Sequence, residues 1–273
     1  MELVMRKALY SIIVIVGFTL FFPFSASAVT IIHDNYWGAD DRGYGDLIED
    51  DGTDYFGIDR AEASHTSTHI TLDIHTQFAG RAAEGHFSGY TSNGNGIGYG
   101  DLFLARTWTP DGSESNGYIT DNASTGTPWE YVFHLDDRWS DSSSGGLYAI
   151  GSGVTLLSEN FMRGAIYRNG QEVAYSPGSS EKPIGGSQWS VHENPDFIRF
   201  IIDISGTTLA DSKHIAFHWG QTCANDVIEG KFVHSPEPAT MLLFGTGLLC
   251  LAGFGRKKLC KMKQRAESIE QRA

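Results

Sequence analysis

The stretch "THITLDIHT", Thr68–Thr76, decides the class of fold. Ile70, Leu72 and Ile74 fall on one side, and His69, Thr71, Asp73 and His75 on the other. An apolar period of two is that of a half-buried β-strand, because successive side chains of a strand point to opposite faces. Outward from it the same period returns. "WEYVFHL" sets Trp129, Tyr131, Phe133 and Leu135 on one face. "IRFIIDI" does so with Ile198, Phe200, Ile202 and Ile204, and "HIAFHWG" with Ile215, Phe217 and Trp219. Further strands are expected over 29–33, 101–105, 146–150, 164–167 and 232–234, and one short helix over 156–163. Clusters such as "SNGNG" and "SDSSSGG" read as the punctuation between them. With no βαβ alternation and no repeat of blade length, the expectation is all-β: a single antiparallel β-sandwich or jelly roll over residues 29–235.

Both ends depart from this pattern. Residues 1–28 hold Arg6 and Lys7, then an apolar run, then Ala26-Ser27-Ala28, the order of a secretory signal peptide cut after Ala28. Near the other end, residues 239–254 contain no charge, and seven cations follow within 18 residues. As a helix that run spans roughly 24 Å at ~1.5 Å per residue. This is short of a ~30 Å hydrocarbon core, and Arg256, Lys257 and Lys258 can snorkel to close the gap. The positive-inside rule sets those cations and the basic tail 259–273 in the cytoplasm, with the bulk of the chain across the membrane.

Without the two ends, residues 29–238 hold 30 acidic against 11 basic side chains, a charge of about −19. Nucleic acid is excluded as a natural partner, since it requires basic surface. Cys223 is the one cysteine of this part, so no internal disulfide braces it.

Candidate chemistry lies in four places. Residues 33–60 carry nine aspartates and glutamates among glycines, a hard-oxygen loop suited to Ca2+, with Asp40, Asp41, Asp46 and Asp50 as the expected ligands. The spacing is not that of an EF-hand. The stretch "GQTCANDVIEG" offers Asn225, Asp226 and Glu229 as further metal or ligand groups. It would sit beside residues 34–46 if the first and last strands are neighbours. Histidines at 69, 75, 214 and 218 lie opposite apolar faces, where a solvated side is the ordinary expectation. Trp108, Trp139 and Trp189 adjoin loops and are candidates for stacking on sugar rings. No G-x-S-x-G nucleophile motif is present. A non-catalytic role is expected, with an enzyme acting on exopolysaccharide or a purely structural matrix component as open alternatives.

The tail resembles the PEP-CTERM sorting signal. Its parts are Pro236-Glu237-Pro238, the apolar run, and the basic cluster of Arg256, Lys257 and Lys258. The resemblance implies an exosortase substrate, anchored briefly in the inner membrane and then released to the cell surface or extracellular matrix, in company with exopolysaccharide. Fifteen residues follow the basic cluster, more than such tails usually carry. The stretches "DNYWGADDRGYGDLIED", "IGYGDLFLA", "DNASTGTPWEY" and "HWGQTCANDVIEG" are similar to a recurrent ectodomain type of these proteins, which implies an architecture and a location but no activity.

Overall fold

The computed structural model describes residues 29–36, 54–82, 88–163, 170–193 and 196–233, together with Gly245 and Gly247. Residues 28–234 form one compact unit. Its strands are β1 (Thr30–His33), β2 (Ile58–His65), β3 (His69–Thr76), β4 (Leu102–Ala105), β5 (Tyr131–Leu135), β6 (Ser142–Ala149), β7 (Val154–Leu157), β8 (Glu172–Ser176), β9 (Gly185–Glu193), β10 (Asp196–Asp203), β11 (His214–Gly220) and β12 (Val227–Val233). A single turn of helix, α1 (Ser158–Phe161), follows β7. A helix was expected over 156–163, but Leu156 and Leu157 pair with β8 instead.

Ten strands make one antiparallel sheet in the order β1-β2-β3-β10-β9-β6-β5-β4-β11-β12, and β7 and β8 form a separate hairpin. The sheet curls until its two edges meet, with β12 packed against β1 and β2. At that seam a Cβ on Gly230 would lie 2.6 Å from Ile32 Cγ2, so the close approach needs a glycine. The all-β antiparallel class holds. The two facing layers are halves of one nearly closed sheet, a barrel-like solution that also protects edge strands from pairing with other chains.

The interior is a single apolar cluster. Ile70, Leu72 and Ile74 of β3 meet Ile198, Phe200 and Ile202 of β10 on one side, and Phe133, Leu135, Ile215, Phe217 and Trp219 on the other. These are the residues that the period of two assigns inward. Trp129 is an exception: it lies before β5 and packs on the outside of the sheet against Phe103, Val132 and Tyr175. The run "SDSSSGG" is a second departure. Ser142–Gly146 is strand, paired throughout with β9 and, at Gly145 and Gly146, also with β5. Weak β-formers are tolerated there because β9 supplies the ladder along the whole stretch, and Gly145 leaves the space over which the Phe133 ring lies.

Candidate functional site

The outside of the sheet has two unlike faces. The first spans β2, β3, β10, β9 and β6. Its register aligns Ser142, Ser190, Arg199, Asp73 and Glu62 in one row across five strands, with Ser144, Gln188, Ile201, Thr71 and Ser64 in the next. At ~4.8 Å between strands such a row is about 19 Å long. Arg199 donates to Asp73 through Nε (2.7 Å) and Nη2 (2.6 Å), a bidentate pair that fixes both side chains. A shallow groove of about 330 Å³ runs over Ser142, Ser144, Gln188, Ser190 and Arg199, with Ile201 exposed at its edge.

The second face spans β4, β5, β11 and β12 and is covered by the β7–β8 hairpin. Asp101, just before β4, pins the cover. Its carboxylate accepts from the Tyr175 amide (2.6 Å), the Leu135 amide (3.0 Å) and Arg138 Nη2 (3.1 Å), and faces His134 Nδ1 at 3.1 Å. Burial alone would push the Asp101 carboxyl up. Arg138, His134 and the Leu135 amide outweigh it and hold the carboxyl below its ordinary range.

Beside this anchor lies a buried polar cluster. Glu172 comes from β8, His218 from β11 and Glu229 from β12, and all three are buried. His218 and Glu229 lie directly opposite one another on their paired strands. His218 Nδ1 is 2.9 Å from Glu229 Oε1, and His218 Nε2 is 2.7 Å from the Glu172 carbonyl oxygen. Both ring nitrogens face acceptors. Burial opposes the imidazolium, but Glu172 and Glu229 prevail and His218 is pushed up to about 9. Glu229 Oε2 accepts from the Tyr36 hydroxyl (2.7 Å) and Trp108 Nε1 (3.0 Å). Trp129 Nε1 donates to Glu172 Oε1, while Glu172 Oε2 has no hydrogen-bond partner among the described residues.

Tyr36 has one proton for two carboxylates, since it also lies 3.0 Å from Asp121 Oδ2. The shorter contact with Glu229 takes that proton. The longer one is satisfied when Asp121 is protonated and donates to the Tyr36 oxygen. Burial, then the Glu229 charge, raise Asp121 to about 7. One oxygen of each glutamate and one ring nitrogen of His218 lie within 4.8 Å of one another, the one set of groups among the described residues arranged to hold a metal ion.

The expected site residues fall as follows. Glu229 joins this cluster, and Tyr36 reaches it from the segment after β1, so the two ends of the domain do meet. Asp226 has a structural task instead: its Oδ2 accepts from the Ile58 amide (2.8 Å) and its Oδ1 from the Val227 amide (2.9 Å). Asn225 is buried in the same turn. Trp189 cannot stack on a sugar: its ring is in the core, 5.4 Å from that of Tyr99, with 2 % of its surface exposed. Trp108 is committed to Glu229 and to the Tyr118 ring, and Trp139 donates to the Gly96 carbonyl (3.2 Å). Cys223 is buried, and its Sγ accepts from the Asn225 amide (3.4 Å). His69 and His214 are exposed, and His75 is half-buried beside Glu62. The solvated expectation fails for His218, because the hairpin covers it.

Asp40, Asp41, Asp46 and Asp50 lie outside the described residues, as do Ala26, Ala28, Pro236, Glu237, Pro238, Arg256, Lys257 and Lys258. Among the described residues no helix is long and apolar enough to cross a membrane. Of the expected span 239–254, only Gly245 and Gly247 are described, both helical.

Glu172, Asp121 and Trp129 were missed as site residues. The strand "EVAYS" is too short to show a period, and nothing in the sequence announces that it lies over β11. Comparison with known proteins finds no curated protein and no solved structure that matches. It does match residues 236–257 to the model of the PEP-CTERM protein-sorting motif. The expectation drawn from Pro236-Glu237-Pro238 and its basic cluster therefore stands: the chain is a PEP-CTERM protein, sorted by an exosortase for export.

Proposed function

We propose that this exported protein is a non-catalytic binder of extracellular polysaccharide, acting at the cell surface or in the matrix, and that it grips the sugar chain along the outer face of β6, β9 and β10. The observation that carries the reading is the groove on that face. Ser142, Ser144 and Ser190 offer hydroxyls, Gln188 a carboxamide and Arg199 a guanidinium, while exposed Ile201 offers an apolar edge. A saccharide presents the complementary set, hydroxyls around an apolar ring face. An extended row of such groups suits a linear polymer better than a small solute. The Arg199–Asp73 pair is fixed before any ligand arrives, which lowers the ordering cost of binding.

In this reading the acidic stretch with Asp40, Asp41, Asp46 and Asp50 binds Ca2+ and strengthens the domain or its hold on the polymer. The signal peptide is removed after Ala28. The segment 239–254 holds the chain in the inner membrane until the exosortase acts at Pro236-Glu237-Pro238. The full chain, incubated with extracellular polysaccharide from an exosortase-bearing bacterium and sedimented, should co-pellet, and the R199A variant should lose at least tenfold in retention. Retention unchanged in R199A, or release of new reducing ends by the wild type, would overturn the binding reading. A melting temperature that ignores added CaCl2 would remove the calcium part alone.

A further inference from the structure

We infer that Glu172, His218 and Glu229 form a binding site for one first-row divalent metal ion, of the zinc or manganese kind, beneath the β7–β8 hairpin. This site is separate from the polysaccharide groove and uses none of the aspartates proposed for calcium.

The first argument is convergence. Three groups from three strands each bring one donor atom within 4.8 Å of the others, and each residue is more than nine-tenths buried. The second is the way the remaining atoms are held. Glu172 Oε1 accepts from Trp129 Nε1, Glu229 Oε2 accepts from Tyr36 and Trp108, and His218 Nε2 donates to the Glu172 carbonyl. Metal-binding histidines and carboxylates are oriented by such outer partners, which fix the ring and raise ligand basicity. Satisfying those atoms leaves Glu172 Oε2 without a partner among the described residues, and His218 Nδ1 and Glu229 Oε1 facing each other across 2.9 Å.

The third argument is the orphan. Glu172 Oε2 is buried with no hydrogen-bond partner among the described residues. A buried carboxylate oxygen without a donor is costly, and a cation is the partner that a carboxylate lacking one calls for. Two carboxylates and a neutral imidazole balance a divalent ion with no residual charge. The ion takes the place of the proton between His218 Nδ1 and Glu229 Oε1, and that proton leaves to solvent. One nitrogen and two oxygens suit zinc or manganese, whereas calcium requires six to eight oxygens. Bound there, the ion clamps β8 to β11 and β12.

The test uses the full chain, stripped with a chelator and titrated calorimetrically with ZnCl2 or MnCl2 alone. Wild type should bind one equivalent of at least one of these ions and melt at a higher temperature with it. E172Q should bind at least tenfold more weakly. W129F, which keeps all three ligands and removes one outer donor, should bind about 10- to 100-fold more weakly. A stripped wild type that takes up neither ion, or an E172Q that binds as tightly as wild type, would overturn the assignment. Should E172Q fail to fold, X-ray absorption on the metal-loaded wild type decides: one imidazole nitrogen among oxygens supports the site, and sulfur or several imidazoles refute it.

Discussion

The outer faces of the two halves of the sheet carry similar residue types and use them in opposite ways. On β2, β3, β10, β9 and β6 the serines, carboxylates and Arg199 border the solvent, and Arg199 keeps 38 % of its side chain exposed while paired with Asp73. On β4, β5, β11 and β12 the hairpin closes over Asp101, Glu172, His218 and Glu229 and leaves each almost no exposed surface. Water screens and solvates the first set, so errors of pairing there are cheap. Beneath the hairpin every charge must be met by a specific partner, because an unmatched one is costly to bury. The contrast separates a surface available to ligands from a covered region that holds the architecture together, and it can be broken or sharpened one residue at a time.

The largest effect is expected at Asp101. D101N removes the charge that holds Arg138 and the Tyr175 amide, and should cost about 3–5 kcal/mol, read as a fall in the urea midpoint. The carboxyl is held below its unfolded value, so its contribution is whole above about pH 4 and is lost as the pH falls through the depressed folded value. Wild type should therefore lose stability in acid more steeply than D101N does. Equal acid slopes would show that Asp101 does not fasten the cover.

Y175F comes next. The Tyr175 hydroxyl accepts from the Gly153 amide (3.1 Å) and donates to Glu181 (3.0 Å) at the open end of the hairpin, where Val154 pairs with Ser176. Its loss should cost about 1 kcal/mol, because the half-buried Gly153 amide keeps only Glu181 Oε1 (3.0 Å) as acceptor and Glu181 loses a donor. Hydrogen exchange should quicken in β7 and β8 before it quickens in β3 and β10; uniform acceleration would dissolve the distinction between cover and barrel. On the open face R199A should cost no more than about 1 kcal/mol in stability, despite its effect on polymer retention. The smallest effect belongs to the S142A/S144A pair. Each serine should change stability by less than about 0.5 kcal/mol, so any loss of retention reports on the groove rather than on folding.

What the sequence disclosed follows from what each region had to satisfy. Ile70, Leu72 and Ile74 announce β3 because one side is buried and the other wet, and alternation records that difference directly. The strand Ser142–Gly146 was hidden because its outward serines and its glycines carry no apolar signal, and its ladder is enforced by β9, with β5 joining at the glycines. His218 was assigned to solvent by the same rule that places Ile215 and Phe217 correctly. The rule sees two faces of a strand but not a hairpin laid over one of them. Glu229 was legible as a ligand-bearing residue near the N-terminal segment. Glu172, Asp121 and Tyr36 join it only through contacts between residues far apart in the chain, which no local pattern encodes. The sorting motif, by contrast, was fully legible, since it is recognised as a linear order of residue types.

The seam between β1 and β12 has a mechanical consequence. Neighbouring strands alternate in direction across the whole sheet, so β1 and β12 run oppositely where Ile32 meets Gly230. Thr30 therefore enters, and Val233 leaves, at the same pole of the barrel. Trimming the chain before Thr30 or after Val233 therefore takes no rung from the ladder, and both cuts fall at that one pole.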